Sequence, residues 1–308
     1  MPTTGDGEST RSEDRSKGHQ HIRMNVLVTG SYGRCGTAII DHLDGDSRYD
    51  FTYLNRSDRP AEHRYGGFDT HVADIADYDA IRPAFDDQDA VVHLAAYPYT
   101  DGAWEDVLEP NVVGMRNALE AARDAEVETF VFASTNHVMG MYEEEHAPEL
   151  YDPDYDLRLD PTDPVRPDSC YGATKSFGED IGRYYTERYE YPRRFYALRI
   201  CSVLPHGIDH PYGRAERRVE NGEIERGSDA YDRSVTRTKA TWHSRRDFAH
   251  LVERCLVDRS VTFDVFNGVS DNDRRWFSIR NARERLGYDP DDNGEEWDGP
   301  PTDSDTAV

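Results

Sequence analysis

Asn25-Val26-Leu27-Val28-Thr29-Gly30-Ser31-Tyr32-Gly33-Arg34-Cys35-Gly36-Thr37-Ala38-Ile39-Ile40-Asp41-His42-Leu43 decides the fold. The stretch opens on a short apolar run of buried-strand type, passes through glycines at 30, 33 and 36, and continues in a helical apolar pattern. Strand, glycine turn and helix arrive in the order that a dinucleotide-binding α/β unit requires. Gly30, Gly33 and Gly36 allow a tight turn, let backbone amides approach a pyrophosphate and let helix and strand pack closely; the helix dipole favours the anion. A glycine-rich loop can also be only a turn, so the weight lies on its position between strand and helix.

The second apolar run, Phe51-Thr52-Tyr53-Leu54, ends in Asn55-Arg56-Ser57, about twenty residues beyond the loop. An acidic residue there would hold the adenosine ribose hydroxyls. This chain has Asn55 instead, which removes repulsion of a 2'-phosphate, and Arg56, which offers that phosphate a bidentate donor. NADP is therefore expected alongside NAD. The alternative is that Arg56 is a solvated charge paired with the nearby Asp58.

The alternation continues. Thr70-His71-Val72-Ala73 precedes Asp74-Ile75, Ala90-Val91-Val92-His93-Leu94 precedes Ala95-Ala96, and Thr129-Phe130-Val131-Phe132-Ala133 precedes Ser134-Thr135-Asn136. Helical patterns at 78–86, 104–124 and 171–190 separate or follow these strands, the rhythm of a Rossmann-type, doubly wound parallel sheet. An amphipathic helix at 245–257, a last strand near Thr262–Phe266 and a helix at 278–286 ending at Gly287 complete the pattern. The expected organisation is a disordered leader at 1–23, a dinucleotide-binding domain at 24–200, a small substrate lobe at 201–290 and a frayed acidic tail at 291–308. Residues 142–168 and 206–239 read as irregular segments that cover the pocket or make subunit contacts.

Composition excludes several partners. The formal net charge is -25, with 61 acidic against 36 basic residues, which repels nucleic-acid phosphates and acidic membranes. An acidic, lysine-poor surface fits a halophilic habitat, where salt screens self-repulsion. No stretch is apolar for long enough to span a bilayer and no secretion signal is present, so a cytoplasmic location is expected. Cys35, Cys170, Cys201 and Cys255 form no C-x-x-C pair, and His206 and His210 flank Gly207, so no metal site is expected.

Tyr171 and Lys175 carry the chemistry. The chain has only three lysines and nineteen tyrosines, so a chance Tyr-x-x-x-Lys should occur roughly 0.2 times. On a helix the spacing puts both side chains on one face, where an ammonium can lower the tyrosine pKa and make it a general base. The bland alternative is a tyrosine stacked on a lysine stem.

The glycine loop, Asp74-Ile75, His93-Leu94-Ala95-Ala96, Asn111, Thr135 and Tyr171 with Lys175 together resemble the extended short-chain dehydrogenase/reductase family over residues 24–290. Phe132-Ala133-Ser134-Thr135-Asn136-His137, Arg166-Pro167-Asp168, Ala240-Thr241-Trp242 and Ser270-Asp271-Asn272-Asp273 are similar to the branch holding uronate dehydrogenases and the haloarchaeal glucose-6-phosphate and L-arabinose 1-dehydrogenases. The resemblance implies that Tyr171 takes the anomeric hydroxyl proton while hydride leaves C1 for the nicotinamide, giving a lactone. It also implies that Lys175 lowers the tyrosine pKa and holds the nicotinamide ribose, that Thr135 bonds the reacting oxygen, and that Asn111 positions a relay water. Thr135 departs from the usual serine, which keeps Ser134 as a minor candidate. Gly30, Tyr32, Gly33, Arg34 and Gly36, then Asn55, Arg56 and Ser57, then Asp74, Ile75, Leu94, Ala95 and Ala96 are the implied dinucleotide contacts. Thr135, Asn136, His137 and Ser202 are the implied sugar contacts.

The implied activity is oxidation of a cyclic aldose at C1, with L-arabinose placed first because Asn55-Arg56 favours dual cofactor use. Glucose 6-phosphate with NAD is the runner-up; one of Arg214, Arg217, Arg218, Arg226, Arg233 and Arg237 could clamp a phosphate, though pairing with nearby acids is the simpler reading. Uronate is demoted because Pro98 replaces a substrate-binding serine. A nucleotide-sugar epimerase or dehydratase and a redox-sensing regulator are the readings from other classes. The family suggests a homo-oligomer built on the 104–124 and 171–190 helices.

Overall fold

Seven parallel strands form one sheet in the order β3-β2-β1-β4-β5-β6-β7. They are β1 (Met24–Thr29), β2 (Tyr49–Asn55), β3 (Thr70–Val72), β4 (Ala90–His93), β5 (Thr129–Thr135), β6 (Arg194–Ile200) and β7 (Phe263–Gly268). The computed structural model describes residues 23–301; the expected leader, apart from Arg23, and residues 302–308 of the tail lie outside them. The helices are α1 (Arg34–Leu43), α2 (Tyr78–Ile81), α3 (Trp104–Val107), α4 (Gly114–Asp124), α5 (Gly140–His146), α6 (Cys170–Arg188), α7 (Gly213–Glu220), α8 (Asp229–Thr241), α9 (Arg245–Val257) and α10 (Arg280–Leu286).

Alternation along the strands builds two cores. Val26 and Val28 pack with Ile39, Ile40, Phe248 and Leu251 of α1 and α9, whereas Leu27 packs with Met115, Leu119 and Tyr185 of α4 and α6. Helices therefore cover both faces, as an all-parallel sheet requires. The strand order reverses between β2 and β4 on either side of β1, and the crevice beyond the carboxyl ends of β1 and β4 is the place such sheets bind ligands.

Several expected elements change in detail. The helix at 78–86 is α for one turn and 3-10 from Arg82, because Pro83 cannot donate an amide to continue it. The 104–124 helix contains a π turn over Leu108–Val113, around Pro110, between α3 and α4. β6 was not among the expected strands, although Phe195-Tyr196-Ala197-Leu198 is fully buried between β5 and β7. Residues 206–239, expected to be irregular, hold α7 and α8; Ser228 caps α8 through the Tyr231 amide, and Tyr231 and Val235 pack with Ala215. Within 142–168, α5 runs on to His146. The tail is not frayed at its start. Asp291 and Asp292 dock by donating their amides to Asp247 (2.9 and 3.1 Å), the Asp292 carboxylate accepts from Ser244 Oγ (2.5 Å), and Trp297 stacks on His210 at 5.2 Å.

One ion pair ties the core to the strand ends. Arg199 of β6 donates to Glu179 of α6 at 2.9 and 2.8 Å, and Ser134 of β5 donates to the same carboxylate at 2.5 Å; all three side chains are buried. The pair is stabilising only while complete, since a lone buried guanidinium keeps its desolvation cost. Replacing Glu179 with Ala is expected to lower stability by about 3–5 kcal/mol, read from denaturant unfolding at fixed salt.

Candidate active site

The turn after β1 is shaped by what it excludes. Gly30 adopts φ +71°, and a Cβ there would lie 2.7 Å from the Ala95 amide nitrogen in the loop after β4. A Cβ on Gly36 would lie 2.3 Å from the Ser31 backbone. The loop is closed by the Gly33 amide donating to Gly30 O at 3.0 Å. Gly33 is the N-cap of α1 and no side chain caps the helix, so the amides of its first turn are left for an anion. Leu94 and Ala95 anchor the facing loop by donating to Thr29 O (3.1 Å) and Thr29 Oγ1 (3.2 Å).

Asn55 sits at the end of β2, buried, and latches the glycine loop: its Oδ1 accepts from the Tyr32 amide (3.2 Å) and its Nδ2 donates to Ser31 Oγ (2.7 Å). Arg56 is exposed and has no hydrogen bond or ion pair among the described residues. Asp58 does not hold it; that carboxylate accepts from the Tyr32 hydroxyl (3.1 Å) and the Arg59 amide (2.7 Å). Ser57 is exposed. Asp74 is exposed and turns back to its own loop, accepting from the Ala76 amide at 3.0 Å, while Ile75 is buried against Gly114.

Tyr171 and Lys175 lie on the first turns of α6, whose N-cap Ser169 accepts from the Gly172 amide at 3.1 Å. Both side chains are buried, and Lys175 Nζ stands 5.9 Å from the centre of the Tyr171 ring and 4.9 Å from that of Phe132. Burial pushes the phenol up to about 12, with the Thr135 hydroxyl pulling the other way. Burial also brings the lysine down to about 7. Burial thus works against the charged forms that an ammonium-stabilised phenolate needs. Cys35, two residues after Gly33, lies within the charge field of both groups, and burial lifts its thiol to about 12.

Around this pair, Thr135 ends β5 and its Oγ1 accepts from the His137 amide at 3.2 Å. His137 Nδ1 bonds Asp168 Oδ2 at 2.6 Å, and its ring lies edge-on to Tyr171 at 6.1 Å. Asp168 also accepts from Ser169 Oγ (2.7 Å). Asn111 spends both amide hydrogens, on Tyr97 O and Thr174 Oγ1 (3.1 Å each), and its Oδ1 accepts from the Tyr97 amide (2.7 Å), so its side chain clamps the β4 loop to α6. Asn136 is buried beside Thr135, and Ser202, just beyond β6, shares a 3.0 Å contact with Thr241 Oγ1. Ser134 faces Glu179 instead of this cleft, which removes it as an alternative to Thr135.

Residues 26–253 match the NAD dependent epimerase/dehydratase family. The chain belongs to that family. It is thus an oxidoreductase of the extended short-chain dehydrogenase/reductases. It is 38% identical to an NAD-dependent glucose-6-phosphate dehydrogenase of Haloferax volcanii, over 90% of this chain and 98% of that protein. It is 33% identical to an L-arabinose 1-dehydrogenase (NAD(P)(+)) of the same organism, over 87% and 96%. Among solved structures, a glucuronic acid dehydrogenase from Chromohalobacter salexigens is 29% identical and superposes with a TM-score of 0.68, covering 90% of this chain and 87% of that one. A uronate dehydrogenase variant from Agrobacterium tumefaciens, complexed with NAD, is 25% identical with a TM-score of 0.67, covering 92% of each.

For a member of this family, two neighbours of the tyrosine were not singled out as site residues by the sequence. Asp168 had only its place after Arg166-Pro167 to mark it, and nothing in its spacing from His137 signals their contact. Cys35 lies inside the glycine motif, whose pattern is set by the glycines around it.

The two shifted groups act oppositely on stability. Lys175 titrates at about 7 in the fold against 10.5 when unfolded, so the unfolded chain holds the extra proton between these values and stability rises with pH across that window. Tyr171 contributes stability below 10 that is lost as pH climbs toward 12. Lys175→Met is expected to gain most over the parent protein at pH 7 and below, the advantage shrinking by up to about 1.4 kcal/mol per pH unit toward pH 10. Urea unfolding of the dinucleotide-free proteins across that range checks this.

Proposed function

We propose that this protein oxidises the hemiacetal carbon of a cyclic aldose to a lactone, using NAD or NADP. The observation that carries the reading is the convergence of Tyr171, Lys175 and Thr135 beside an uncapped glycine loop, in a chain related to named sugar dehydrogenases. The loop suits a dinucleotide: side chains are excluded where α1 meets it, and the amides of α1 remain for a pyrophosphate. When bound, the nicotinamide supplies the hydride acceptor at C4 and a positive ring that favours a nearby phenolate.

The residues of the chain divide the remaining work. Tyr171 Oη takes the proton of the C1 hydroxyl as the C1–H bond breaks, and Thr135 Oγ1 holds the same oxygen. Lys175, which burial brings down to about 7, lowers the tyrosine pKa through its charge when protonated. His137 is oriented by Asp168 so that Nε2 remains for a ring hydroxyl, and Asn136 and Ser202 extend the polar wall. Asn111 fixes the wall by its clamp to Thr174.

Asn55 and Arg56 support NADP use. The amide brings no charge against a 2'-phosphate, and Arg56 has no carboxylate of its own among the described residues. This pair bears on the cofactor and not on the sugar, so it gives L-arabinose no priority. Glucose 6-phosphate takes first place instead, supported by the higher identity to the relative that bears its name.

Turnover of glucose 6-phosphate, glucose, L-arabinose and galacturonate, each with NAD and NADP, tests the assignment; reduced cofactor released into solution with a lactone product is expected, and tightly retained cofactor would indicate an epimerase. Tyr171→Phe is expected to lower kcat by about 10²–10⁴ while dinucleotide binding, followed by fluorescence, persists. Arg56→Ala is expected to raise KM for NADP by about tenfold and to leave KM for NAD within about a factor of two.

A further inference from the structure

Arg245 opens α9 and is buried, yet its side chain reaches three other parts of the chain. One terminal nitrogen, Nη1, donates to the Arg34 carbonyl in the first turn of α1 at 3.1 Å and to the Leu204 carbonyl beyond β6 at 3.4 Å. The other, Nη2, donates to the Asp41 carboxylate of α1 at 2.6 Å and, at 3.4 Å, to the Tyr65 hydroxyl, which itself donates to Asp41 at 3.0 Å. The backbone amide of Arg245 donates to Asp209 at 2.8 Å, and that carboxylate also accepts from Trp242 Nε1 at 2.9 Å.

Two of these contacts join surfaces that the proposed reaction uses. Arg34 is the first residue of α1, directly after the glycine cap, where the helix amides are left for a pyrophosphate. The bond goes to its backbone carbonyl, so it fixes the start of the helix without using the Arg34 side chain. Leu204 stands two residues past Ser202, whose amide donates to Thr241 O at 2.8 Å and whose carbonyl accepts from the His243 amide at 3.1 Å. Because Arg245 also holds Asp209, the segment 204–209 is fastened at both ends to one residue.

The pairing with Asp41 explains how the charge is buried, but not why the residue is an arginine. A buried ion pair adds little stability over well-packed apolar side chains. What a guanidinium supplies is a planar fork with donors on separate nitrogens. Here the fork is divided between the carboxylate that neutralises it and two carbonyls, one at the start of α1 and one beyond β6. The two carbonyls share the hydrogens of one nitrogen, so a shift at either end changes the bond at the other. The Leu204 bond is longer than the usual range and is the one with room to tighten.

We infer that Arg245 is a positioning residue that couples the dinucleotide side of the site to the sugar side. With a dinucleotide on the first turn of α1, the Arg34 carbonyl is fixed, and Arg245 draws in the Leu204 carbonyl and with it the segment that follows Ser202. Arg245 acts through main-chain groups and belongs to neither binding surface. The inference rests on the C1-dehydrogenase reading and adds to it the residue through which the two ligands influence each other. By reciprocity, the sugar must tighten the dinucleotide by the same factor as the dinucleotide tightens the sugar.

The test is Arg245→Lys, which keeps a charge for Asp41 but replaces the fork by one nitrogen that cannot reach the carboxylate and both carbonyls from one point. NADH is titrated by its fluorescence with and without a saturating concentration of whichever sugar the parent oxidises fastest among glucose 6-phosphate, glucose, L-arabinose and galacturonate. Aldose and NADH are both reduced, so the ternary complex forms without turnover. In the parent the sugar is expected to tighten NADH by about fivefold or more. Arg245→Lys should lose most of that factor and raise KM for the sugar in proportion while kcat is largely kept. Tyr65→Phe removes a hydroxyl from the same carboxylate but touches neither carbonyl, and should keep the parent's coupling. In the parent, NADH alone should slow hydrogen–deuterium exchange of peptides covering 202–210; exchange left unchanged there would overturn the inference even if Arg245→Lys failed to fold. A parent without coupling, an Arg245→Lys protein with the parent's coupling, or an equal loss in Tyr65→Phe would each overturn it too, and all of these leave sugar oxidation standing. A parent that oxidises none of the four sugars with NAD or NADP overturns the dehydrogenase reading and takes the inference with it.

Discussion

A phenol and an amine are buried together at the start of α6, and the site's chemistry depends on how burial sets their charges. Desolvation drives Tyr171 up and Lys175 down, so the phenol stays protonated while the amine titrates near neutral pH. A positive nicotinamide nearby would favour the phenolate. Thr135 biases the phenol in the same direction before any ligand arrives.

The sheet delivers these groups to one crevice. β1 presents the glycine loop, β4 the loop that meets Gly30, and β5 runs directly into Thr135, Asn136 and His137. Behind them, the buried Glu179–Arg199 pair with Ser134 binds α6 to β5 and β6, so the helix that carries Tyr171 cannot shift without breaking it. The segment after β6 is arranged differently: α7 and α8 pack on each other around Tyr231 and Val235, and Arg237 of α8 pairs with Glu143 of α5.

The fold was legible wherever periodicity and glycine spacing act locally. β1 through β5, α1, α6 and α9 follow from apolar runs and capping residues, and the αL cap at Gly287 (φ +67°) follows from the helix it ends. The misreadings have physical causes. α7 and α8 are polar and short of an apolar stripe, so their helicity depends on the Ser228 cap and on packing around Tyr231 that only the tertiary structure supplies. At the site, the identity of Tyr171 and Lys175 was readable from four-residue spacing, but their charge states were not. Those states depend on burial under chain segments distant in sequence. For the same reason Asn55 reads as a cofactor residue but acts first as a latch on the loop, and the 31-residue separation of His137 from Asp168 hides their contact.

Burial favours the protonated phenol of Tyr171, and a bound dinucleotide is expected to move its ionisation to lower pH. Carbon-13 NMR of protein labelled at tyrosine Cζ measures this directly, with the Tyr171 signal assigned by its loss in Tyr171→Phe. The account predicts a protonated phenol across neutral and mildly alkaline pH in the dinucleotide-free protein, with ionisation moving to lower pH once NAD is added. A phenolate signal for Tyr171 at neutral pH without NAD, or a titration that NAD leaves unmoved, would contradict it.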